Sequence, residues 1–318
     1  SRKHVDRKPV SVKSYANIAI VKYWGKADAE RMIPSTSSIS LTLENMYTET
    51  KLSFLPEDAT SDVMYIDDEL QGEKETTKAS KVLDLFRTNP NQYVKIETWN
   101  NMPTAAGLSS SSSGLSALVK AANELFQVGK TQSELAQIAK FASGSSSRSF
   151  FGPLAAWDKD SGEVYQVETD LKLAMIMLVL TDQKKPVSSR DGMKLCTETS
   201  TSFPEWIKQS EQDYKDMLVY LKANDFQAVG ELTEANALHM HQTTSTANPP
   251  FSYLTDASYQ AMDEVKSLRA SGEQCYFTMD AGPNVKVLCL EKDLDRLADH
   301  FRKDYQIIVS RTKELPDA

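Results

Sequence analysis

A run of small residues joins a predicted strand to the clearest helix in the first half of the chain. The run is Asn101–Gly114, N-M-P-T-A-A-G-L-S-S-S-S-S-G. It follows Tyr93–Trp99, whose alternation predicts a strand, and precedes Leu115–Phe126, whose apolar residues share one helical face. Backbone N–H groups at a helix N-terminus bind anions, and small side chains let a ligand approach them. The segment therefore predicts a phosphate-binding loop rather than a flexible serine-rich linker.

This loop does not have either of the two common nucleotide-binding patterns. No Gly-Lys-Ser/Thr follows, so it is not a P-loop, and the spacing G-x-G-x-x-G does not occur in it. The hydroxyl groups of Ser109–Ser113 add hydrogen-bond donors and candidate Mg²⁺ ligands. We therefore predict that the loop binds the phosphates of a nucleotide.

The rest of the pattern predicts a mixed α+β protein. Strands are predicted over 10–24, 37–43, 50–54, 63–66, 93–99, 173–180, 275–279, 285–290 and 306–309. Helices are predicted over 76–86, 115–126, 133–141, 187–200, 204–222, 226–243, 256–270 and 294–301. Strands and helices do not alternate regularly, which favours α+β over a doubly wound sheet. A boundary near Gln183–Pro186 gives two domains, 1–185 and 186–318.

Composition excludes several classes of protein. The 318 residues carry 36 Lys and Arg against 44 Asp and Glu, a net charge of −8, so a general nucleic-acid-binding protein is not expected. No apolar run reaches the ~18 residues that span a membrane, so no membrane partner is expected. The N-terminal residues lack the apolar segment of a secretory signal. Three widely spaced cysteines do not suggest a disulfide framework, and we expect a cytoplasmic location.

Positive charge is concentrated near the N-terminus of this acidic chain. Residues 2–26 hold seven lysines and arginines against one aspartate, which indicates either a basic tail or a site for an anionic ligand. Within A-N-I-A-I-V-K-Y-W-G-K, a strand would place Lys22, Trp24 and Lys26 on one face and Tyr23 on the other. These residues are either the exposed end of a strand or phosphate-binding cations with a hydroxyl donor.

Two further segments combine small residues with one charged side chain. S-G-S-S-S-R-S follows a predicted helix and contains Arg148, which could bind a carboxylate or phosphate through two N–H groups. F-T-M-D-A-G-P-N-V places Asp280 where a strand ends and a Gly-Pro turn begins. A polar loop and an ordinary turn aspartate are the simpler alternatives. His239 and His241 do not share a helical face, so a structural role is predicted for them rather than metal binding.

Together these segments identify a family. P-x-x-A-G-L-S-S-S-S-S-G resembles the phosphate loop of the GHMP kinase superfamily. K-Y-W-G-K, S-G-S-x-x-R-S and M-D-A-G-P-N-V resemble signatures of its mevalonate diphosphate decarboxylase branch, in the expected order. The resemblance implies a two-domain GHMP-kinase-like fold, with a left-handed βαβ crossover in the N-terminal domain and a ferredoxin-like C-terminal domain. It also implies an active site in the cleft between the domains, and a homodimer.

The same resemblance implies an activity. Family members use ATP and Mg²⁺ to convert mevalonate 5-diphosphate into isopentenyl diphosphate, ADP, phosphate and CO₂, through transient phosphorylation of the 3-hydroxyl. The alternatives are a small-molecule kinase of the superfamily, a decarboxylase of mevalonate monophosphate, and a nucleotide-binding module without catalysis.

Roles follow from the resemblance residue by residue. Asp280 matches the catalytic aspartate that deprotonates the 3-hydroxyl, Arg148 matches the arginine that orients the substrate carboxylate, and Lys22 matches a second cation near them. The implied substrate-binding residues are Tyr23, Trp24, Gly25, Lys26, Ser143, Gly144, Ser145, Ser146, Ser147, Arg148, Ser189 and Arg190. The implied ATP-binding residues are Pro103, Ala106, Gly107, Leu108, Ser109, Ser110, Ser111, Ser112 and Ser113, with Lys74, or alternatively Lys78, as the basic residue near the nucleotide. Ser110 and Ser112 are the candidate Mg²⁺ ligands.

Overall fold

The computed structural model describes residues 7–102, 110–180 and 187–316, without the side chains of Ser110 and Ser111. Contacts within the chain divide these residues into two units. Unit A comprises residues 7–17, 46–102 and 110–150, and unit B comprises residues 18–45, 151–180 and 187–316. The predicted boundary at 183–186 lies outside the described residues, and the domains 1–185 and 186–318 stay a prediction.

The strands and helices agree closely with the sequence pattern. The strands are β1 (Val10–Val21), β2 (Lys26–Asp28), β3 (Ile33–Pro34), β4 (Ser38–Phe54), β5 (Val63–Ile66), β6 (Glu69–Leu70), β7 (Val94–Asn100), β8 (Leu154–Trp157), β9 (Val164–Val167), β10 (Leu173–Val179), β11 (Cys275–Thr278), β12 (Val285–Leu290) and β13 (Gln306–Arg311). The α-helices are α1 (Glu73–Asp84), α2 (Ser110–Leu125), α3 (Gln132–Ala142), α4 (Ser189–Thr199), α5 (Phe203–Lys222), α6 (Phe226–Ser245), α7 (Asp256–Ala270) and α8 (Leu294–Arg302).

Unit A packs helices beside a mixed sheet. Within this unit, β4 pairs antiparallel with β7, β7 pairs in parallel with β5, and β5 pairs antiparallel with β6. Helix α3 begins at a capping box, because the Glu134 N–H donates to Thr131 Oγ1 at 3.2 Å and the Glu134 carboxylate accepts from the Thr131 N–H. The 3-10 helix Gly144–Phe150 follows α3 where the sequence predicted an irregular polar segment.

Unit B contains a four-stranded antiparallel sheet in the order β11-β12-β10-β13. The chain order β10, helices, β11, β12, α8, β13 together with this sheet order is the ferredoxin-like arrangement that the resemblance implied. Helices α7 and α8 bury apolar side chains against this sheet, among them Val265 and Phe301, which pack with Ile176, Phe277 and Val287. The predicted α+β class is confirmed, whereas the left-handed crossover stays a prediction.

Two strand predictions were wrong. The segments 37–43 and 50–54 were predicted as separate strands but form the single strand β4, and the first strand, predicted over 10–24, is shorter. The first strand ends at Val21, so residues 22–25 do not alternate between two faces of a strand. Lys22 and Trp24 are both buried, although they leave the strand. The change of direction depends on Gly25, which has φ +121°, and a Cβ there would lie 2.5 Å from the Phe203 ring. The K-Y-W-G-K segment is therefore a buried turn rather than an exposed strand end.

Candidate active site

The part of the candidate site in unit B is built on the turn between β11 and β12. This turn carries Asp280 shortly after the strand, as the sequence predicted. Two hydrogen bonds from other elements hold this turn. Ser258 Oγ of α7 donates to the Pro283 carbonyl at 2.6 Å, and the Leu180 N–H donates to Asn284 Oδ1 at 2.8 Å. The Asp280 side chain is thus mounted on a fixed backbone, which a catalytic group needs.

Two lysines face the Asp280 carboxylate. Lys22 Nζ donates to Oδ1 at 2.8 Å, and Lys286 Nζ lies 3.6 Å from Oδ2. The two lysine side chains are 2% and 0% exposed, whereas the Asp280 side chain is 24% exposed. Both positive charges are therefore enclosed by protein, while part of the carboxylate remains accessible to a ligand.

Lys22 is held at its backbone as well as at its ammonium group. Its N–H donates to Asn236 Oδ1 at 2.9 Å, and Asn236 Nδ2 in turn donates to Asp213 Oδ2 at 2.9 Å. The Lys22 ammonium also donates to the Ala19 carbonyl at 2.6 Å. Because Asn236 and Asp213 are buried, these bonds are protected from water and fix the direction of Lys22.

His241 of α6 contacts the backbone directly before Asp280. Its Nε2 lies 3.2 Å from the Met279 carbonyl oxygen, which can only accept, so the ring donates through Nε2–H. The pKa of His241 is lowered to about 4, chiefly by burial; the Lys22 charge acts in the same direction, while the Met279 carbonyl and Asp280 oppose it. His241 is therefore neutral at physiological pH and acts as a structural donor.

An apolar cluster joins the three predicted segments of unit B. Trp24, Met193 of α4 and Ala281 of the turn between β11 and β12 belong to one buried apolar cluster. Trp206 Nε1 donates to the Trp24 carbonyl at 2.9 Å, and Trp24 Nε1 donates to Thr243 Oγ1 at 2.9 Å. The aromatic residue of K-Y-W-G-K therefore serves as an anchor, and it places Lys22, the start of α4 and the Asp280 turn around one core.

Lys26 and Arg190 form a second concentration of positive charge in unit B. Arg190 lies in the first turn of α4, whose N-terminus is capped by Ser188 through a 3.0 Å bond from the Asp191 N–H. Burial lowers the pKa of Lys26, and the Arg190 charge lowers it further. Two like charges near a helix N-terminus repel each other until an anion binds, so this pair suits a phosphate ligand. Tyr23 is half-buried with its ring centroid 5.0 Å from that of Trp157, and Ser189 is the first residue of α4.

Arg148 is a buried cation of unit A. Its Nε and Nη2 both donate to Asn17 Oδ1, at 3.3 and 3.2 Å. Asn17 Nδ2 donates to the Ser145 carbonyl at 2.9 Å and to Ser149 Oγ at 2.8 Å. Asn17 thus holds both the guanidinium and the 3-10 helix that carries it. The other predicted residues of this segment are the C-cap of α3, Ser143, and the 3-10 residues Gly144, Ser146 and Ser147, which are buried.

The predicted ATP-binding residues are described only in part. Pro103, Ala106, Gly107, Leu108 and Ser109 lie outside the described residues, as do the side chains of Ser110 and Ser111. Helix α2 begins at Ser110, directly after the predicted loop.

The remaining predicted ATP and metal ligands lie on two helices of unit A. Ser112 and Ser113 are buried in the first turn of α2, where Ser113 Oγ is 2.7 Å from Thr48 Oγ1. Lys74 is exposed in the first turn of α1. Within residues 7–102, 110–180 and 187–316, no three His, Cys, Asp or Glu side chains gather in a way that could hold a metal ion. The roles assigned to Lys74, Ser110 and Ser112 stay predictions.

Three residues of the site were missed in the sequence: Lys286, Asn17 and Asn236. Lys286 had a detectable signal, because it is the single charge in the apolar strand V-K-V-L-C-L. Asn17 directly precedes the apolar residues Ile18–Val21, where a polar side chain needs a buried partner. Asn236 lies in a helix without a distinctive pattern, and its contact with Lys22 spans 214 positions of the sequence.

Two protein-family models and a curated relative match most of the chain. Residues 14–167 match the family model described as the diphosphomevalonate decarboxylase-like N-terminal domain. Residues 175–316 match the model of the mevalonate 5-diphosphate decarboxylase C-terminal domain. The diphosphomevalonate decarboxylase of Candida albicans is 30% identical, and the match covers 93% of this chain and 88% of that protein.

Solved structures resemble the chain over nearly its whole length. The mevalonate pyrophosphate decarboxylase of Streptococcus pyogenes has a TM-score of 0.95 and 68% identity, and covers 98% of this chain and 99% of its own. A structure described as MDDEF in complex with MVAPP, AMPPCP and magnesium has a TM-score of 0.88 and 40% identity, and covers 96% of this chain and 98% of its own.

Proposed function

The chain belongs to the diphosphomevalonate decarboxylase family, and we propose that Asp280 with Lys22 forms its catalytic centre. Its activity is the ATP-dependent decarboxylation of mevalonate diphosphate. The observation that carries the assignment of the centre is the contact of 2.8 Å between Lys22 Nζ and Asp280 Oδ1, with the rest of the carboxylate accessible.

The chemical difficulty of this reaction is the leaving group. A tertiary hydroxide leaves poorly, and phosphorylation of the 3-hydroxyl by ATP with Mg²⁺ converts it into a good leaving group. We propose that Asp280 accepts the hydrogen bond of the 3-hydroxyl and takes its proton. Lys22 holds Oδ1, and the accessible part of the carboxylate is left to face the hydroxyl group. A fixed carboxylate in a protected site contributes through positioning and through its charge.

Arg148 is proposed to orient the substrate carboxylate. Its guanidinium is aimed by Asn17, which removes most of its freedom before any ligand arrives. A guanidinium holds a carboxylate through two parallel hydrogen bonds, which fixes the plane of the carboxylate that leaves as CO₂. Ser143 and Ser145, whose hydroxyl oxygens lie 3.2 Å apart, are proposed together with Gly144 to provide further donors for the substrate diphosphate.

Lys26, Arg190 and Tyr23 are the proposed ligands of the substrate diphosphate, with Gly25, Trp24 and Ser189 shaping the site. The mutual repulsion of Lys26 and Arg190 supports this, because a diphosphate would relieve it. The ATP phosphates are proposed to bind at the N-terminus of α2, where backbone N–H groups and serine hydroxyls are concentrated. Hydroxyl oxygens such as those of Ser110 and Ser112 suit Mg²⁺, which prefers hard oxygen ligands.

A homodimer and a cytoplasmic location are also proposed. Free thiols support the location, because Cys196, Cys275 and Cys289 are all buried and none forms a disulfide. No helix in the described part of the chain is both long and apolar enough to cross a bilayer. Sedimentation velocity tests the dimer: a species of about 71 kDa supports it and one near the chain mass of 35.5 kDa contradicts it.

An assay with two products tests the function. The protein is incubated with Mg²⁺, ATP and mevalonate 5-diphosphate, and ADP and CO₂ are measured in the same tube. Equal amounts of the two are expected. ADP without CO₂ would instead indicate a kinase, and turnover only with mevalonate monophosphate would indicate the other decarboxylase. Tight ATP binding with none of these reactions would indicate a binding module.

A further inference from the structure

Strand β12 contains a buried charge that the proposed mechanism does not use. Lys286 is fully buried, and its neighbours along the strand are Val285, Val287, Leu288 and Cys289. In the sheet it lies opposite Met177 of β10 and Thr278 of β11. An ammonium group in such surroundings loses its hydration, which is costly unless a partner replaces the water.

The partner of Lys286 is Asp280. The Lys286 ammonium lies 3.6 Å from Asp280 Oδ2, and it forms no hydrogen bond with the residues that the structure describes. Lys22 already neutralises the carboxylate through Oδ1. A purely structural ion pair needs only one cation, and the described residues place two beside this carboxylate.

A surplus positive charge has a use beside anionic substrates. Mevalonate diphosphate and ATP bring several negative charges toward Asp280. Nearby negative charge favours protonation of a carboxylate, whereas nearby positive charge favours ionisation. We propose that Lys286 is a positioning residue that holds Asp280 Oδ2 in place and keeps the carboxylate ionised when the anionic substrates bind. This inference rests on the proposed role of Asp280.

Among the described residues, the titratable groups that face Asp280 come from three parts of the fold. Lys22 follows β1, Lys286 lies on β12, and His241 lies on α6. His241 is neutral above pH 5, because its pKa is lowered to about 4 by burial. His241 therefore keeps the same charge throughout an activity profile measured above pH 5. A shift of the profile in a variant of Lys286 is then due to Asp280 and not to His241.

The first test replaces the charge by an apolar chain of similar length. In Lys286→Met, we expect the pH at which half of kcat is lost on the acidic side to rise by about one unit, since a neighbouring charge shifts a carboxylate by that order. KM for ATP should change less than twofold. Lys292→Met removes an exposed lysine of the same unit and should leave the profile unchanged.

A double variant separates positioning from a general effect on the fold. If Lys286 acts through Asp280, Lys286→Met should lower the residual turnover of Asp280→Asn by less than twofold. An equal loss in both backgrounds would contradict the proposal. So would an unshifted acidic limb in a folded Lys286→Met variant.

A measurement without turnover keeps this test independent of the proposed function. The protein is labelled with ¹³C at aspartate carboxyls, and the Asp280 signal is assigned by its loss in Asp280→Asn. In the ligand-free protein, Lys286→Met should raise the pH midpoint of that signal by about one unit. An unchanged midpoint overturns the inference even if the enzyme is active. A shifted midpoint in a protein without decarboxylase activity would support the contact and remove the proposed function.

The reciprocal measurement covers the case in which Lys286→Met does not fold. With ¹⁵N-labelled lysine, the resonance of the Lys286 ammonium is compared between wild type and Asp280→Asn at one pH. The ammonium lies 3.6 Å from Asp280 Oδ2, so loss of the carboxylate charge should move this resonance. An unchanged resonance would overturn the inference.

Discussion

Two acidic residues border strand β11, and their surroundings differ. Glu234 of α6 receives two hydrogen bonds from Arg269 of α7, at 2.8 and 2.9 Å, and a third at 2.9 Å from the Phe277 N–H in the strand. Arg269 also donates to the Cys275 carbonyl at 2.8 Å. Asp280, just beyond the strand, is faced by Lys22 and Lys286.

The difference lies in how completely each carboxylate is satisfied. One cation matches Glu234 in charge and in geometry, and the backbone of β11 supplies the remaining donor, so that pair ties two helices to the sheet. Asp280 is faced by two lysines, although one is sufficient to neutralise its charge. Its side chain is also twice as exposed as that of Glu234, 24% against 12%. A pair with surplus charge and an open face is suited to a ligand, whereas a matched and closed pair is suited to stability.

The largest effect should come from removing the carboxylate charge of the open pair, Asp280 with its two lysines. Asp280→Asn removes the charge but keeps the shape, and we expect kcat to fall about 10³-fold, within the usual contribution of a general base. The affinity for ATP should change less than threefold, because Asp280 is not among its proposed ligands. Steady-state kinetics and ATP titration measure the two quantities. Asp304→Asn changes an exposed aspartate of the same unit and serves as the control.

Turnover close to wild type in Asp280→Asn would remove this residue from the mechanism. An equal loss in kcat and ATP affinity would instead indicate that the carboxylate supports the whole site. Either outcome would make Asp280 resemble Glu234 and would end the distinction between the two pairs.

The sequence was sufficient for most of the fold. Helix α7 and strand β12 were predicted at their observed bounds, because periodic apolar residues and local turn signals mark them. Strand β1 was predicted too long at 10–24, since the direction change at Gly25 depends on Phe203, which is distant in sequence. The 3-10 helix Gly144–Phe150 was missed because its hydrogen bonds depend on serine side chains and on Asn17 rather than on periodicity.

The candidate site divides in the same way. Asp280 and Lys22 could be singled out as candidates, because both lie in the motifs that carry the resemblance and Asp280 follows a predicted strand. Asn17 and Asn236 could not be given roles, since their partners are far away in the chain. Lys286 carried a signal as the single charge of an apolar strand, but its contact with Asp280 depends on how the turn between β11 and β12 folds. The Asn236 contact with Lys22 depends on how α6 packs, which no local pattern specifies.

Breaking the closed pair, Glu234 with Arg269, should lower stability and leave turnover unchanged. Arg269→Met leaves Glu234 partly buried with only the Phe277 N–H as donor, and we expect the free energy of unfolding to fall by about 3 kcal/mol. The kcat of the folded fraction should stay within twofold of wild type. Denaturant unfolding and kinetics on the same preparation measure both. Arg302→Met, which removes an exposed pair with Asp299, should not change stability measurably.

A large loss of kcat in folded Arg269→Met would contradict the separation of the two roles. It would mean that loss of the ion pair between Glu234 and Arg269 displaces Asp280 at the other end of β11. Unchanged stability would indicate that water reaches Glu234 once the guanidinium is gone.

The smallest effect should come from the histidine behind Asp280. The folded pKa of His241 is about 4, below the ordinary 6.5, so the unfolded chain binds a proton between these values and the folded chain does not. Stability from this source is complete above pH 6.5 and is lost as pH falls toward 4. From pH 6.5 to 5.5 the loss should be about 1 kcal/mol. The Glu234 side of β11 has no such histidine among the contacts described for it.

Unfolding by denaturant at pH 6.5 and 5.5, in wild type and His241→Gln, measures this contribution. Glutamine can still donate to the Met279 carbonyl but does not titrate, so the variant should lose less stability between the two pH values than wild type does. Equal losses in both proteins would show that His241 accepts a proton in the folded state. A positive charge would then be added directly behind Asp280 in acid, and the acidic limb of kcat would have to be assigned to His241 together with the carboxylate.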